Sequence, residues 1–414
     1  MRSLLPVAES DVDAAARRLQ GVVARTPLER NARLSALAGG EVWLKREDLQ
    51  PVRSYKLRGA YNAMAQLERT DAGVVCASAG NHAQGVAYAC AALEIKGRVY
   101  VPRTTPRQKR ERIAAIGGAW IEVVVTGDTY DAAAAEATAY AARSGAQPVH
   151  AFDDPSTIAG QGTVAREIVE QLGRAPDRIV VPVGGGGLLA GMVTWLGAHH
   201  PEVELIGVEP EGAASMTAAL SAGAPVTLET FDGFVDGAAV RTIGAAPFAI
   251  VQGSGARMLT VETGAVCAEM LALYQTDGII AEPAGALASS AIGRTDGADR
   301  VTVCVLSGGN NDVSRYSEII ERALVHAGLK HYFLVDFPQE PGALRRFLDD
   351  VLGPDDDITL FEYVKRNSRE TGAALVGVEI GRPDDLEGLL ARMDASPLLI
   401  ERVDPMSAAF RFLI

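Results

Sequence analysis

Short runs of apolar, β-branched residues recur along this chain, and most are followed by a small-residue turn and then a longer stretch with helical spacing. Val74–Ala77 and Val301–Leu306, with residues 98–102, 120–125, 178–183 and 205–208, have the length and composition of strands buried in a sheet. Residues 83–93, 109–116, 131–144 and 261–275 carry the intervening helical pattern. Near the start, residues 11–23 predict a helix with Asp11 early and Arg17 and Arg18 late; Thr26-Pro27 ends it, and residues 42–45 predict a strand. Residues 51–54 then form a loop that delivers Lys56 to the start of a helix running through Leu67. Gly160-Gln161-Gly162-Thr163 reads as the opening of a further helix with Glu167 in its early turns, and Glu282 stands where another begins. Such alternation predicts an α/β fold of open, mostly parallel sheets with helices on both faces and right-handed crossovers.

After about Gly328 the pattern changes. Residues 331–337 predict a strand, Pro341-Gly342 introduces a helix through Leu352, residues 358–365 and 373–380 are strands, 384–393 a helix and 398–403 a last strand. That βαββαβ order is the ferredoxin-like arrangement. The expected organisation is a region at 1–328, containing a smaller subdomain at about 52–148, followed by a second domain at 329–414.

At 414 residues the chain is long for one core and predicts two or three domains. Hydrophobic residues at 48% and charged residues at 22% are ordinary globular usage. The net charge of -13 argues against a nucleic-acid partner, because phosphate binding needs a basic face. The basic run from Arg103 to Arg112 is read as a solvated loop and helix start. Residues 1–6 lack the apolar core of a signal peptide, and no run approaches about 18 uninterrupted apolar residues, so no membrane partner is expected. Cys76, Cys90, Cys267 and Cys304 lie far apart in apolar surroundings without metal-ligand spacing; buried thiols in a reducing cytoplasm, and no metal, are expected.

Lys56 lies in Ser54-Tyr55-Lys56-Leu57-Arg58-Gly59-Ala60, just after Lys45-Arg46-Glu47-Asp48. A lysine held in an apolar pocket can lose its proton near neutral pH and attack a carbonyl, whereas the heptamer alone also fits a surface lysine on a helix. Ser78-Ala79-Gly80-Asn81-His82 joins a strand to a helix, where free backbone N–H groups attract an anion such as a carboxylate. Asn81 can donate to a ring oxygen or serve as an N-cap. Gly184-Gly185-Gly186-Gly187-Leu188 follows a β-branched strand and opens a helix; four glycines let several N–H groups converge on one phosphate. Ser307, at the end of Val301–Leu306, can meet a ring nitrogen or cap a helix.

These motifs, with Glu282-Pro283-Ala284-Gly285, resemble the fold-type II pyridoxal-phosphate enzymes and most of all the biosynthetic threonine dehydratase family, over nearly the whole chain. Tyr55 stands where that family often has Phe, and Gly309 where it commonly shows Ala. The resemblance implies pyridoxal 5'-phosphate carried by Lys56 as a Schiff base, with Lys56 later moving the substrate's Cα proton and Tyr55 packing near the ring. It further implies that Asn81 holds the ring 3-hydroxyl, that Gly184, Gly185, Gly186, Gly187 and Leu188 hold the phosphate, and that Ser307 meets the pyridine nitrogen. Ser78, Ala79, Gly80, Asn81 and His82 would bind the substrate carboxylate, and Glu282 would lie near the ring or the substrate amine. A serine at the ring nitrogen cannot protonate it as an aspartate would, which weakens the electron sink and favours expulsion of a β-hydroxyl over transamination.

The implied activity is dehydration and deamination of L-threonine to 2-oxobutanoate and ammonia, the first step of isoleucine biosynthesis, with L-serine as a further substrate. Serine or hydroxyaspartate dehydration, serine racemisation, or a non-catalytic amino-acid sensor are the alternatives. The C-terminal segment resembles the single ACT-like regulatory module of that family in Phe337-Pro338, Pro341-Gly342-Ala343-Leu344 and residues 358–363. The module implies isoleucine as feedback inhibitor, opposed by valine, in a cytoplasmic homotetramer; a purely oligomerising domain is the competing reading.

Overall fold

The computed structural model describes residues 6–295, 298–363, 370–404, 407 and 410. The chain divides into two compact units, Met1–Asp312 and Val313–Ile414. The first unit holds two sheets. One has six strands in the order Leu28–Arg30, Glu41–Arg46, Val301–Leu306, Arg178–Pro182, Glu204–Pro210 and Arg257–Val261, all parallel except the antiparallel first pair. The other has four parallel strands in the order Ile121–Val125, Gly97–Val101, Val74–Ala77 and Gln147–Pro148. All six residues of Val301–Leu306 are buried, which is why that strand reads as an apolar run interrupted only by Thr302.

Three strand ends lead straight into the segments with candidate chemistry: Val74–Ala77 into Ser78, Arg178–Pro182 into the glycine run, and Val301–Leu306 into Ser307. In an open parallel sheet the carboxyl ends of the strands are where backbone N–H groups and loop side chains converge on a ligand.

Several boundaries differ from the sequence pattern, for local reasons. The opening helix is Glu9–Leu19 rather than 11–23, and the helix from Lys56 stops at Met64 rather than Leu67. The helix read as opening at Gly160 begins at Pro155: the Asp154 side chain accepts from Thr157 N, and Pro155 takes the first position, where a missing N–H costs nothing. Gly160 and Gly162 sit inside it because neighbouring backbones press there. A Cβ on Gly160 would lie 2.6 Å from Arg58 O, and one on Gly162 2.6 Å from Gly191 O. Residues 261–275 are not one helix: Arg257–Val261 is an edge strand and the helix is Thr263–Gln275. Short helices at Ser215–Ala222 and Ala245–Val251 have no clear signature in the pattern.

The second unit carries helix Tyr316–His326 and a four-stranded antiparallel sheet in the order Asp357–Tyr363, Thr371–Glu379, Lys330–Pro338 and Leu399–Arg402. With helices Ala343–Asp350 and Asp385–Ala395 between the strands, the chain order is βαββαβ. Residues 364 and 365, the end of one expected strand, lie outside the described residues. Phe333, Val335, Phe337, Val376 and Val378 pack with Phe347, Leu389 and Met393 on one face of the sheet. Tyr332 and Val403, on the other, meet Val325 and Phe410.

Candidate active site

Lys56 is the first residue of its helix, and its backbone approach is fixed by the chain that follows Val301–Leu306. Tyr55 N donates to Ser307 O at 3.1 Å, and Ser54 pairs with Gly308 in a single antiparallel bridge. The Lys56 Nζ donates to Ala151 O at 3.1 Å and stands 5.3 Å from the centroid of the Tyr55 ring. Lys56 keeps part of its surface open, yet the protein around its amine disfavours the ammonium form. Burial pushes its pKa down to about 8, with the negative charge of Glu282 opposing.

Asn81 opens helix Asn81–Leu93, and Gly80, which has no side chain to offer, is the N-cap; the capping role open to Asn81 is not the one adopted. Its amide is spoken for on both sides. Asn81 Nδ2 donates to Glu282 Oε1 at 2.5 Å, and Asn310 Nδ2 donates to Asn81 Oδ1 at 2.7 Å while also reaching Val52 O. Glu282 is itself the N-cap of Pro283–Ser290, and its N–H donates to Gly308 O at 3.2 Å. Burial, then the nearby charge of Asp236, pushes the Glu282 carboxyl up to about 7, against the hydrogen bond from Asn81.

Ser78, Ala79 and Gly80 form a half-buried turn ahead of that helix, with Gly80 N donating to Ser78 Oγ at 3.3 Å. A Cβ on Gly80 would meet nothing within 4 Å, so the helix start is open to a ligand there. The His82 side chain turns inward, with Nε2 at 2.8 Å from Val149 O. Burial, reinforced by the charge of Lys56, pushes its imidazole down to about 3; it is neutral at pH 7 and donates from Nε2.

The glycine run is shaped by two neighbours. A Cβ on Gly185 would fall 2.1 Å from the Phe152 ring, and one on Gly184 2.9 Å from Ala238 Cα. Gly186 has a φ of 87°, and as N-cap of Gly187–His199 it leaves the N–H groups of that helix start without a side-chain cap. Leu188 is buried in the first turn. Ala151 and Phe152 are consecutive, so one short stretch of chain carries both the acceptor for the Lys56 amine and the wall of the glycine cradle. Ser307 is buried and donates from Oγ to Ala284 O at 3.1 Å.

Lys56, Tyr55, Ser307, Gly308, Glu282 and Asn81 are thus linked by direct contacts, and the cradle joins them through 151–152. Sequence reasoning missed Ala151, Phe152, Asp236 and the role of Asn310. Only Asn310 had a signal, closing the Ser307-Gly308-Gly309-Asn310 turn that follows Val301–Leu306. The basic run is less solvated than expected at two points: Lys109 pairs with Asp236 at 2.8 Å, and Arg112 Nε donates to Gln84 Oε1 at 2.9 Å.

A weakly basic, half-buried amine, an uncapped glycine-lined helix start for an anion, and an amide and a hydroxyl nearby are the donor set for a phosphorylated aldehyde held on a lysine. Residues 19–308 match the family described as pyridoxal-phosphate dependent enzyme, and the chain belongs to that family; its cofactor is pyridoxal phosphate. Residues 321–413 match the family described as the C-terminal regulatory domain of threonine dehydratase. The chain is 59% identical to the biosynthetic L-threonine dehydratase of Mycobacterium tuberculosis, over 99% of this chain and 97% of that protein. Among solved structures it resembles the processed form of threonine deaminase isoform 2 from Solanum lycopersicum, at a TM-score of 0.71 and 38% identity, covering 76% of this chain and 94% of that one. Maize serine racemase superposes as well, at a TM-score of 0.71 and 27% identity, covering 78% and 99%. Among the described residues no helix is long and apolar enough to cross a membrane, and no group of His, Cys, Asp and Glu could hold a metal ion.

Proposed function

We propose that this chain converts L-threonine to 2-oxobutanoate and ammonium, with Lys56 as the working base, under control of its C-terminal unit. The observation that carries this reading is the meeting of a half-buried amine with a glycine-lined anion cradle at residues 151–152. Full-length similarity to the mycobacterial threonine dehydratase and the matching regulatory domain favour threonine over other substrates.

When bound, pyridoxal phosphate supplies an electron-withdrawing ring conjugated to the substrate's α-carbon. The remaining work falls to the chain. The N–H groups at the start of Gly187–His199 would hold the phosphate, and Asn81 and Ser307 would face the ring edge and nitrogen. The N–H groups around Ser78, Ala79, Gly80, Asn81 and His82 orient the substrate carboxylate against the positive end of Asn81–Leu93. Lys56 Nζ takes the Cα proton, which a neutral amine can do and an ammonium cannot. The β-hydroxyl leaves with a proton as water, and a water returns as ammonium departs, so L-threonine gives 2-oxobutanoate and ammonium in balance.

The regulatory reading names isoleucine as inhibitor and valine as its opponent, acting on a cytoplasmic homotetramer. The support is the regulatory-domain family of residues 321–413. One observation favours a second reaction, serine racemisation: the racemase fold superposes as closely as the threonine deaminase fold, so the backbone alone does not select the chemistry. The test is 2-oxobutanoate release from L-threonine by the full chain, with and without isoleucine, and by a chain truncated after Asp312. Release suppressed by isoleucine only in the full chain supports both parts. D-serine from L-serine without 2-oxobutanoate from L-threonine would replace the reading with the racemase.

A further inference from the structure

Two residues beyond Lys56, the same helix carries Arg58, which is 1% exposed and gripped along one edge by Glu47. Arg58 Nε donates to Glu47 Oε2 at 2.8 Å and Nη2 to Oε1 at 2.7 Å, while Nη1 reaches Thr163 Oγ1 at 3.3 Å. Glu167, on helix Pro155–Leu172, pairs with Arg58 Nη2 at 2.8 Å and with Lys45 Nζ at 2.7 Å. Thr26 Oγ1 donates to Glu47 Oε1 at 2.6 Å and Gln50 Nε2 to Glu47 Oε2 at 3.2 Å. Two cations and two carboxylates cancel, so the cluster projects no net charge.

The helix start needs this hold. Tyr55, its N-cap, makes no side-chain capping bond, and within this turn only a tight backbone bond from Arg58 N to Tyr55 O at 3.0 Å serves the first N–H groups among the described residues. Gly59 N instead donates to Gln161 Oε1 at 3.2 Å, and Arg58 is clamped by its side chain. Both anchors are tertiary, and Lys56 precedes them on the same turn. A bidentate guanidinium–carboxylate pair fixes direction as well as distance, which a greasy contact or a lysine would not.

We propose that Arg58 and Glu47 are positioning residues for Lys56, setting the first turn of its helix so that the amine is held toward the loop of Ala151 and the glycine cradle. The proposal rests on Lys56 being the reactive amine. Because the cluster is neutral, it acts on where the amine sits and not on its affinity for a proton.

The test uses the full chain with Arg58→Lys, which keeps the charge and loses the fork, and Thr26→Val, which keeps the shape and removes one bond to Glu47. Two quantities are read: the rate at which cofactor-free protein regains visible absorbance on adding pyridoxal phosphate, across pH 6 to 10, and kcat per bound cofactor. Displacement of a reacting group by about 1 Å costs on the order of 100-fold, so Arg58→Lys is expected to slow both by about 10- to 100-fold, and Thr26→Val by a few-fold. The pH midpoint of uptake stays where it is in the parent, and KM for L-threonine changes little. A lowered melting temperature with unchanged uptake and kcat per bound cofactor would show a merely structural pair and overturn the proposal; so would a displaced midpoint, which would mean the cluster acts through charge. If Arg58→Lys does not fold, Thr26→Val decides alone. Retention of the absorbance band by Lys56→Ala would instead sink the underlying assignment of Lys56.

Discussion

Two sets of buried charges lie within one unit of this protein, and they behave in opposite ways. Around Arg58 every charge has its counter-charge: burial alone would raise the Glu47 carboxyl, but Arg58, with Lys45 and Thr26, outweighs it and holds the group below its ordinary range, although burial still lowers Lys45. At Lys56 and Glu282 the same low dielectric acts on groups with too little compensation, and their pKa values move toward each other, to about 8 and about 7. Full pairing freezes protonation and leaves a structural part, whereas incomplete pairing leaves groups that exchange protons near neutral pH. The contrast therefore separates reactive from positioning groups without reference to any ligand.

The largest expected effect tests the reactive side. Lys56→Ala should abolish turnover and the visible band of bound cofactor, as read by absorbance and 2-oxobutanoate release, while leaving the melting temperature near that of the cofactor-free parent. Next comes the paired side. Glu47→Ala strands Arg58 without its main partner, and loss of one member of a buried pair costs roughly 3–5 kcal/mol, measurable by denaturant unfolding. A cost near zero would mean that water or a neighbour replaces the carboxylate, and the contrast would fail.

The third prediction has a sign fixed by linkage. Glu282 is harder to ionise folded than unfolded, so its contribution to stability is greatest below pH 4.5 and is lost as pH rises toward about 7. Glu282→Gln removes that loss. The variant should match the parent near pH 4.5 and exceed it at pH 8 by up to about 3 kcal/mol, from the worth of each pKa unit. Equal pH dependence in both proteins would place the titrating group elsewhere.

Much of this arrangement is legible in the chain because its strands are short, apolar and followed by marked turns. Val74–Ala77 and Val301–Leu306 have the bounds the pattern predicts, since burial on both faces leaves no charged residue and only Thr302 among polar ones to blur them. Where the pattern failed, a tertiary contact had overruled a local signal. Gly160 looks like a helix start and is a mid-helix glycine forced by Arg58 O, while Asp154 and Pro155 carried the true start signal. The edge strand Arg257–Val261 carries no clear strand signal, and its last residue reads as part of the following helix, because it is largely half-buried and lacks a clean alternation. The chemistry divides the same way. Lys56 and the glycine run announce themselves, but Asn81 and Glu282 meet across 201 positions, and Phe152 is a lone aromatic in a loop. The Arg58 cluster draws on Lys45, Glu47 and Glu167 from separate elements, and charge spacing along a chain does not encode such a meeting.

That cluster also responds to heat in its own way. The hydration of charged groups becomes less favourable as temperature rises, so the cost of keeping four charges out of water shrinks on warming, while apolar burial per unit area levels off. The first turn of the Lys56 helix is thus secured by the kind of contact that weakens least on heating, and the reactive amine should hold its place up to temperatures at which regions packed by apolar contacts alone have begun to loosen.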